Sequence, residues 1–194
     1  MDRLARLASR NPHKLEELRA ALPGWRLEPL EAGEPPPETG ETYYENARAK
    51  AEFGRSADAW SLGEDSGLEV EGLAGGPGVL SARFAGPGED PVEKLLARLE
   101  GTSGGAREAR YVCELVAISP SGVEVRGTGI LRGRIAGEAR GSEGFGYDPV
   151  FVPAGEERTV AELGNAWKRR HSHRALAAQA LVGASTGSDP DPRE

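Results

Sequence analysis

Residues 63 to 86 read GEDSGLEVEGLAGGPGVLSARFAG. Two adjacent acids, Glu64 and Asp65, follow the short apolar run Ala59-Trp60-Ser61-Leu62, which reads as a strand ending at a turn. Neighbouring residues on an extended chain point to opposite faces, so one of the two carboxylates faces a site more directly than the other. The glycines at 72, 75, 76 and 78, with Pro77 among them, allow backbone conformations that a side chain forbids and let the chain approach a ligand closely. Two readings follow. One is a metal-phosphate site, because hard carboxylate oxygens together with substrate phosphates suit Mg²⁺. The other is an acidic surface turn followed by an irregular loop, since acids are common at turns.

On the N-terminal side, Leu4 to Ala8 reads as a first strand, turned by Ser9-Arg10-Asn11-Pro12-His13-Lys14 into a helix. Asn11 is a natural N-cap, Pro12 suits the first helical position, and Leu15, Leu18 and Leu22 recur at helical spacing. Such a helix start presents N–H groups to an anion, with Lys14 alongside, although the glycine-rich P-loop pattern is absent. Residues 31 to 41, EAGEPPPETGE, are too polar and too rich in Pro and Gly to pack, and form a loop. Glu38 in that loop is either solvated or a second metal ligand. Thr42 and Glu45 have capping-box spacing, and Ala47 with Ala51 give the following helix a small-residue face for close approach to a neighbour. Lys50 falls on its exposed flank or at a site.

On the C-terminal side, Asp90-Pro91-Val92-Glu93 opens a helix through Leu95, Leu96 and Leu99, closed by Gly101. Ala109 to Ile118 and Val123 to Ile135 are β-rich runs joined by the hairpin signal Pro120-Ser121-Gly122, so the sheet is mixed. In Gly144-Phe145-Gly146-Tyr147-Asp148 the aromatics between glycines read as exposed, either stacking on a nucleobase or plugging a sheet edge. Lys168-Arg169-Arg170-His171-Ser172-His173-Arg174 is the densest positive run. It is read as opening the final helix with Ser172 as cap, and is either a solvated turn or a cluster of phosphate and base contacts.

Length fits one substantial domain, residues 1 to 184, with residues 185 to 194 as a disordered Pro- and Asp-rich tail. A formal net charge of −7 speaks against nucleic acid as a partner, because counterion release needs a basic face. No stretch has the apolar length of a membrane span, and the N-terminus lacks a signal-type core, so the expected address is cytoplasmic. The single Cys113 lies in an apolar run and reads as a buried small hydrophobe.

Five segments together, SRNPHKLEEL, ETGETYYENARAKA, the 63–86 stretch, GFGYDPVFVP and KRRHSHRALA, resemble the inosine triphosphate pyrophosphatases in order and spacing across nearly the whole chain. The resemblance implies an elongated, two-lobed α/β fold with a central mixed β-sheet flanked by helices, a cleft between the lobes, and a homodimer. It implies hydrolysis of deaminated purine nucleoside triphosphates (ITP, dITP, XTP) to the monophosphate and pyrophosphate. The alternative is a related pyrophosphatase acting on modified pyrimidine or ordinary dNTPs.

Residue by residue, the resemblance makes Ser9, Asn11 and Lys14 the first substrate loop, and Glu38 and Asp65 the Mg²⁺ ligands. Asp65 is also the proton acceptor, and Ser66 is a substrate contact. Phe145, Gly146, Tyr147 and Asp148 form the base-binding loop, and Lys168, His173 and Arg174 the C-terminal contacts. Base selectivity is then expected at His173 and Arg174 acting with Phe145, because a planar fork of donors suits a keto oxygen. Two departures stand out: Glu64 where the family usually has Asp, and Arg169 where a small polar residue is common.

Overall fold

A computed structural model describes residues 2–31 and 33–185. In chain order the elements are β1 (Arg3–Leu7), α1 (Pro12–Ala21), β2 (Trp25–Pro29), α2 (Tyr43–Phe53), β3 (Trp60–Val70), β4 (Pro77–Gly78) and α3 (Pro91–Arg98). They continue with β5 (Glu108–Ile118), β6 (Glu124–Ile135), β7 (Phe151–Pro153), α4 (Val160–Leu163), α5 (Asn165–His171) and α6 (His173–Ser185). The strands form one mixed sheet flanked by helices, in the order β2-β1-β3-β5-β6-β7, with β4 on β3. β1 pairs parallel with β2 and β3, while β3–β4 and β6–β7 are antiparallel.

Local chemistry sets the helix starts. Asn11 is extended and its side-chain oxygen accepts from the backbone N–H groups of His13 and Lys14, with Pro12 at the first helical position. Thr42 and Glu45 form the expected capping box, and Asp90 caps α3 through Val92 N and Glu93 N. A second capping box, Thr159 with Glu162, opens the four-residue α4, which the apolar pattern alone does not reveal.

Two expectations are corrected. The strand that was to end before the acids runs on to Val70, so Glu64 and Asp65 sit mid-strand and both are buried. They can do so because each has cationic partners inside the protein, described below. The basic run is also divided. Lys168 to His171 close α5, where cations favour the negative end of the helix dipole, and α6 begins at His173, so the extended Ser172 directly before it stands at the expected cap position.

The chain forms two compact units. The first comprises the residues up to Asp65, Cys113–Gly129 and those from Arg174 on. Its core holds Leu7, Leu18, Leu22, Leu27, Leu62, Leu115 and Leu181. Beside it Ala47 and Ala51 of α2 are fully buried with Val116 and Ile118. The close helix approach anticipated from those alanines is realised at Gly63, where an added Cβ would lie 1.9 Å from Ala47 O and 2.6 Å from Ala51 N. The second unit comprises Ser66–Val112 and Ile130–His173. Its core joins Leu68 and Val70 of β3, Leu95 and Leu99, Ile135, and Phe151 of β7. Ser185, read from sequence as the first residue of the tail, is the last residue of α6 and is buried. The rest of the tail lies outside the described residues.

Gly63→Ala is expected to destabilise the protein by at least about 2 kcal/mol, because its methyl meets helix backbone that cannot rotate away. That corresponds to a fall in Tm of roughly 4–8 °C for a chain of this size. Calorimetry checks it, and an unchanged Tm would contradict the close packing of α2 on β3.

Candidate functional site

Alternation along β3 sends Glu64 and Asp65 to different partners in the first unit. The Glu64 side chain is fully buried. Lys14 Nζ lies 2.6 Å from its Oε2, and Arg174 Nε donates to its Oε1 at 3.0 Å. Arg174 Nη1 donates to Glu17 Oε2 at 3.0 Å, so one guanidinium binds two carboxylates. Burial alone would push the Glu64 carboxyl up, but the fields of Lys14, then Arg174 and Lys50, outweigh it and hold the group well below the usual carboxylate range. Burial, with the Glu64 charge adding to it, pushes the neighbouring buried Cys113 thiol well up.

Asp65 faces α2. Asn46 Nδ2 donates to its Oδ2 at 3.0 Å, and Lys50 Nζ donates to its Oδ1 at 3.3 Å. Lys50 also donates to the Glu64 carbonyl at 2.9 Å and forms a short bond to Glu38 Oε1. One buried ammonium thus gathers the loop acid and the strand acid. Asp65 is shifted in the opposite direction to Glu64: burial raises its pKa, with Glu64 and Glu38 adding to the rise, against Lys50 and the Asn46 bond. Burial would lower the Lys50 pKa, yet Asp65, Glu64 and Glu38 together raise it, so the lysine stays charged.

The second unit builds a separate cluster around Asp148. Its Oδ2 accepts from Phe145 N at 2.8 Å and from Lys168 Nζ at 2.7 Å, and Tyr111 OH lies 3.4 Å from its Oδ1. Lys168 Nζ stands 4.4 Å from the centre of the Phe145 ring, a cation–π contact. The Tyr111 ring stacks on His173 with centroids 4.5 Å apart and planes at 7°. The loop can curl this tightly because Gly144 has φ +81°, and a Cβ there would fall 2.2 Å from Asp148 Oδ2. Gly146 is likewise left-handed, at φ 63°. Of the two aromatics expected to be exposed, Phe145 is half-buried, whereas Tyr147 is buried with its hydroxyl donating to Ser81 O at 2.9 Å.

The first unit therefore gathers Lys14, Glu38, Asp65 and Arg174, and the second gathers Phe145, Gly146, Tyr147, Asp148, Lys168 and His173. Ser66, half-buried, follows Asp65 directly on β3. Ser9 Oγ accepts from Asn11 N at 3.2 Å, so Ser9 and Asn11 pre-shape the turn that carries Lys14. Sequence reasoning missed Glu17, Asn46 and Tyr111. Asn46 was accessible to it, since it lies four residues before Lys50 and therefore on the same helical face. Glu17 and Tyr111 gave no local signal, because their partners are 157 and 37 residues away.

Glu38 and Asp65 are the residues that would hold a divalent cation. Among the described residues no group of three or more His, Cys, Asp or Glu side chains gathers as a metal cage. Glu38 and Asp65 nevertheless converge on one positive charge, that of Lys50, and offer hard oxygens. Two carboxylates, with the remaining positions filled by phosphate and water oxygens, is the set Mg²⁺ commonly takes.

A mixed sheet flanked by helices, with acids paired to buried cations mid-strand, defines an α/β protein with a carboxylate–cation site. The family model described as Ham1 family matches residues 5–184, and the chain belongs to that family. The resemblance read from the five segments is thereby borne out. The chain is 40% identical to the dITP/XTP pyrophosphatase of Gloeobacter violaceus, covering 97% of each sequence. It is 46% identical to that of Mycobacterium bovis, over 92% of this chain and 93% of the relative. A solved HAM1 protein from Coxiella burnetii superimposes with a TM-score of 0.84 at 33% identity, covering 96% of this chain and all 100% of the other.

Glu64→Gln would leave Lys14 and Arg174 beside a neutral group, and is expected to destabilise the fold by about 3–5 kcal/mol at pH 7. Because the Glu64 pKa is depressed in the folded state, its stabilisation is complete above its ordinary value of 4.5 and is lost as pH falls towards the folded value. Denaturant titrations of both proteins should show a constant gap from pH 7 to about 5 that narrows below. A gap independent of pH would contradict the ionised, cation-bound Glu64.

Proposed function

We propose that this chain hydrolyses deaminated purine nucleoside triphosphates (ITP, dITP and XTP) to the nucleoside monophosphate and pyrophosphate. The observation that carries the reading is the convergence of Glu38 and Asp65 on one cationic point, in a chain that aligns almost end to end with relatives named dITP/XTP pyrophosphatases. Pyrophosphate release requires water to attack the α-phosphorus while charge develops on the oxygen bridging to the β-phosphate, so positioning and electrostatics carry the reaction. Mg²⁺ held by Glu38 and Asp65 would neutralise phosphate charge and polarise the phosphoryl oxygen.

This chain's own groups supply the remainder. Asp65 orients the attacking water and accepts its proton, while its neighbour Glu64 stays ionised as the counter-charge of Lys14 and Arg174. Lys14, Lys50 and Lys168 neutralise the triphosphate, with Ser9, Asn11 and Ser66 as further contacts. Phe145 offers a ring face to the base within the loop that Asp148, Gly146 and Tyr147 shape. His173 and Arg174 read its keto oxygen. Glu64 and Glu17 hold the Arg174 guanidinium in one orientation, which suits a donor that must discriminate. A cytoplasmic address and a homodimer belong to the same reading. Among the described residues no helix is long and apolar enough to cross a membrane.

The test is a substrate panel with purified protein and Mg²⁺. Pyrophosphate should be released from ITP, dITP and XTP far faster than from ATP or modified pyrimidine nucleotides, and EDTA should stop it. Asp65→Asn should lower kcat by about 100-fold or more with the circular dichroism unchanged. Equal rates on ATP, or a mutant retaining more than about a tenth of the rate, would overturn the assignment.

A further inference from the structure

Asn46 is buried, has no role in the reaction as proposed above, and commits both ends of its amide to the two halves of the proposed metal site. Its Nδ2 donates to Asp65 Oδ2 at 3.0 Å, and its Oδ1 accepts from Gly40 N at 2.8 Å. Gly40 lies two residues beyond Glu38, on the same loop. The packing leaves little room for that loop to shift, since a Cβ on Gly40 would sit 2.7 Å from Glu45 Cβ and 2.8 Å from Asn46 Oδ1. The loop is also tied to the start of α2 by Glu45 Oε2, which accepts from Glu41 N at 2.8 Å and Thr42 N at 3.0 Å.

We propose that Asn46 is the positioning residue of this site. Its amide orients the Asp65 carboxylate and clamps the Glu38 loop, so that the two acids are arranged before a divalent cation arrives. The inference rests on the reading above, in which Glu38 and Asp65 hold Mg²⁺.

The amide is suited to the task by having one donor and one acceptor end. Asp65 and Gly40 N–H present the complementary groups, and a carboxylate at position 46 would meet Asp65 with a like charge. Taking Asp65 Oδ2 as acceptor fixes the rotation of the carboxylate and leaves Oδ1 towards Lys50 and the Glu38 side. Hydrogen-bond partners behind metal ligands commonly contribute 10- to 100-fold in metal affinity or activity, because they remove the cost of orienting the ligand at the moment of binding.

The experiment is a Mn²⁺ titration of the full-length protein followed by electron paramagnetic resonance, without nucleotide. It compares wild type, Asn46→Ala, the nearly isosteric Asn46→Leu, and Asp65→Asn as the reference for the site. Both Asn46 variants are expected to bind Mn²⁺ about tenfold more weakly than wild type, and to need about tenfold more Mg²⁺ for half-maximal pyrophosphate release from dITP. At saturating Mg²⁺ their KM for dITP should stay within about twofold. Asn46→Leu serves if the alanine variant does not fold. A lower Tm with unchanged Mn²⁺ affinity and unchanged Mg²⁺ dependence would make Asn46 a packing residue and overturn the proposal, leaving the metal assignment intact. A wild-type titration indistinguishable from that of Asp65→Asn would overturn the metal assignment itself, and the proposal with it.

Discussion

Two carboxylates on consecutive residues of a buried strand are held apart by strand alternation and matched to separate cations. A buried, unpaired carboxylate costs several kcal/mol, so Glu64 and Asp65 are tolerable mid-strand only if their partners arrive with them. Glu64 draws in Lys14 from α1 and Arg174 from α6, and Asp65 draws in Lys50 and Asn46 from α2. Gly63 makes the second of these geometrically available, since any side chain there would hold α2 off the strand. Three residues in sequence thereby fix three helices of the first unit against one strand.

The two acids leave this arrangement with opposite characters. Glu64, fully enclosed between a lysine and an arginine, is kept ionised and serves as their counter-charge. Asp65, buried but balanced by a single lysine and one amide, binds a proton more readily than an ordinary aspartate. Environment rather than residue type sets the two carboxyls apart. The second unit uses the same economy in Asp148, whose carboxylate holds the Phe145 backbone, Lys168 and the Tyr111 hydroxyl around one loop.

Much of this was legible in the sequence because it is written in local grammar. Asn11-Pro12, Thr42 with Glu45, and Asp90-Pro91 each announce a helix start through hydrogen bonds that span three residues. Ala47 and Ala51 announce close packing by their size. Legibility ended where the deciding partner is distant in sequence. Glu64-Asp65 read as a turn because acids seldom continue a buried strand, and only the arrival of Lys14, Lys50 and Arg174 from elsewhere makes that continuation stable. Tyr147, beside a glycine, read as exposed, whereas it packs in the core of the second unit with its hydroxyl bonded to Ser81, 66 residues away. The division of the basic run between α5 and α6 was similarly hidden, since a continuous run of cations does not show where one helix stops.

Hydrolysis in H₂¹⁸O, with the products resolved by ³¹P NMR, tests the central claim that water is delivered to the α-phosphorus of a deaminated purine triphosphate. The account predicts dIMP carrying the ¹⁸O label, together with unlabelled pyrophosphate, from dITP. Label in the pyrophosphate, or dIDP with orthophosphate as the products, would contradict it.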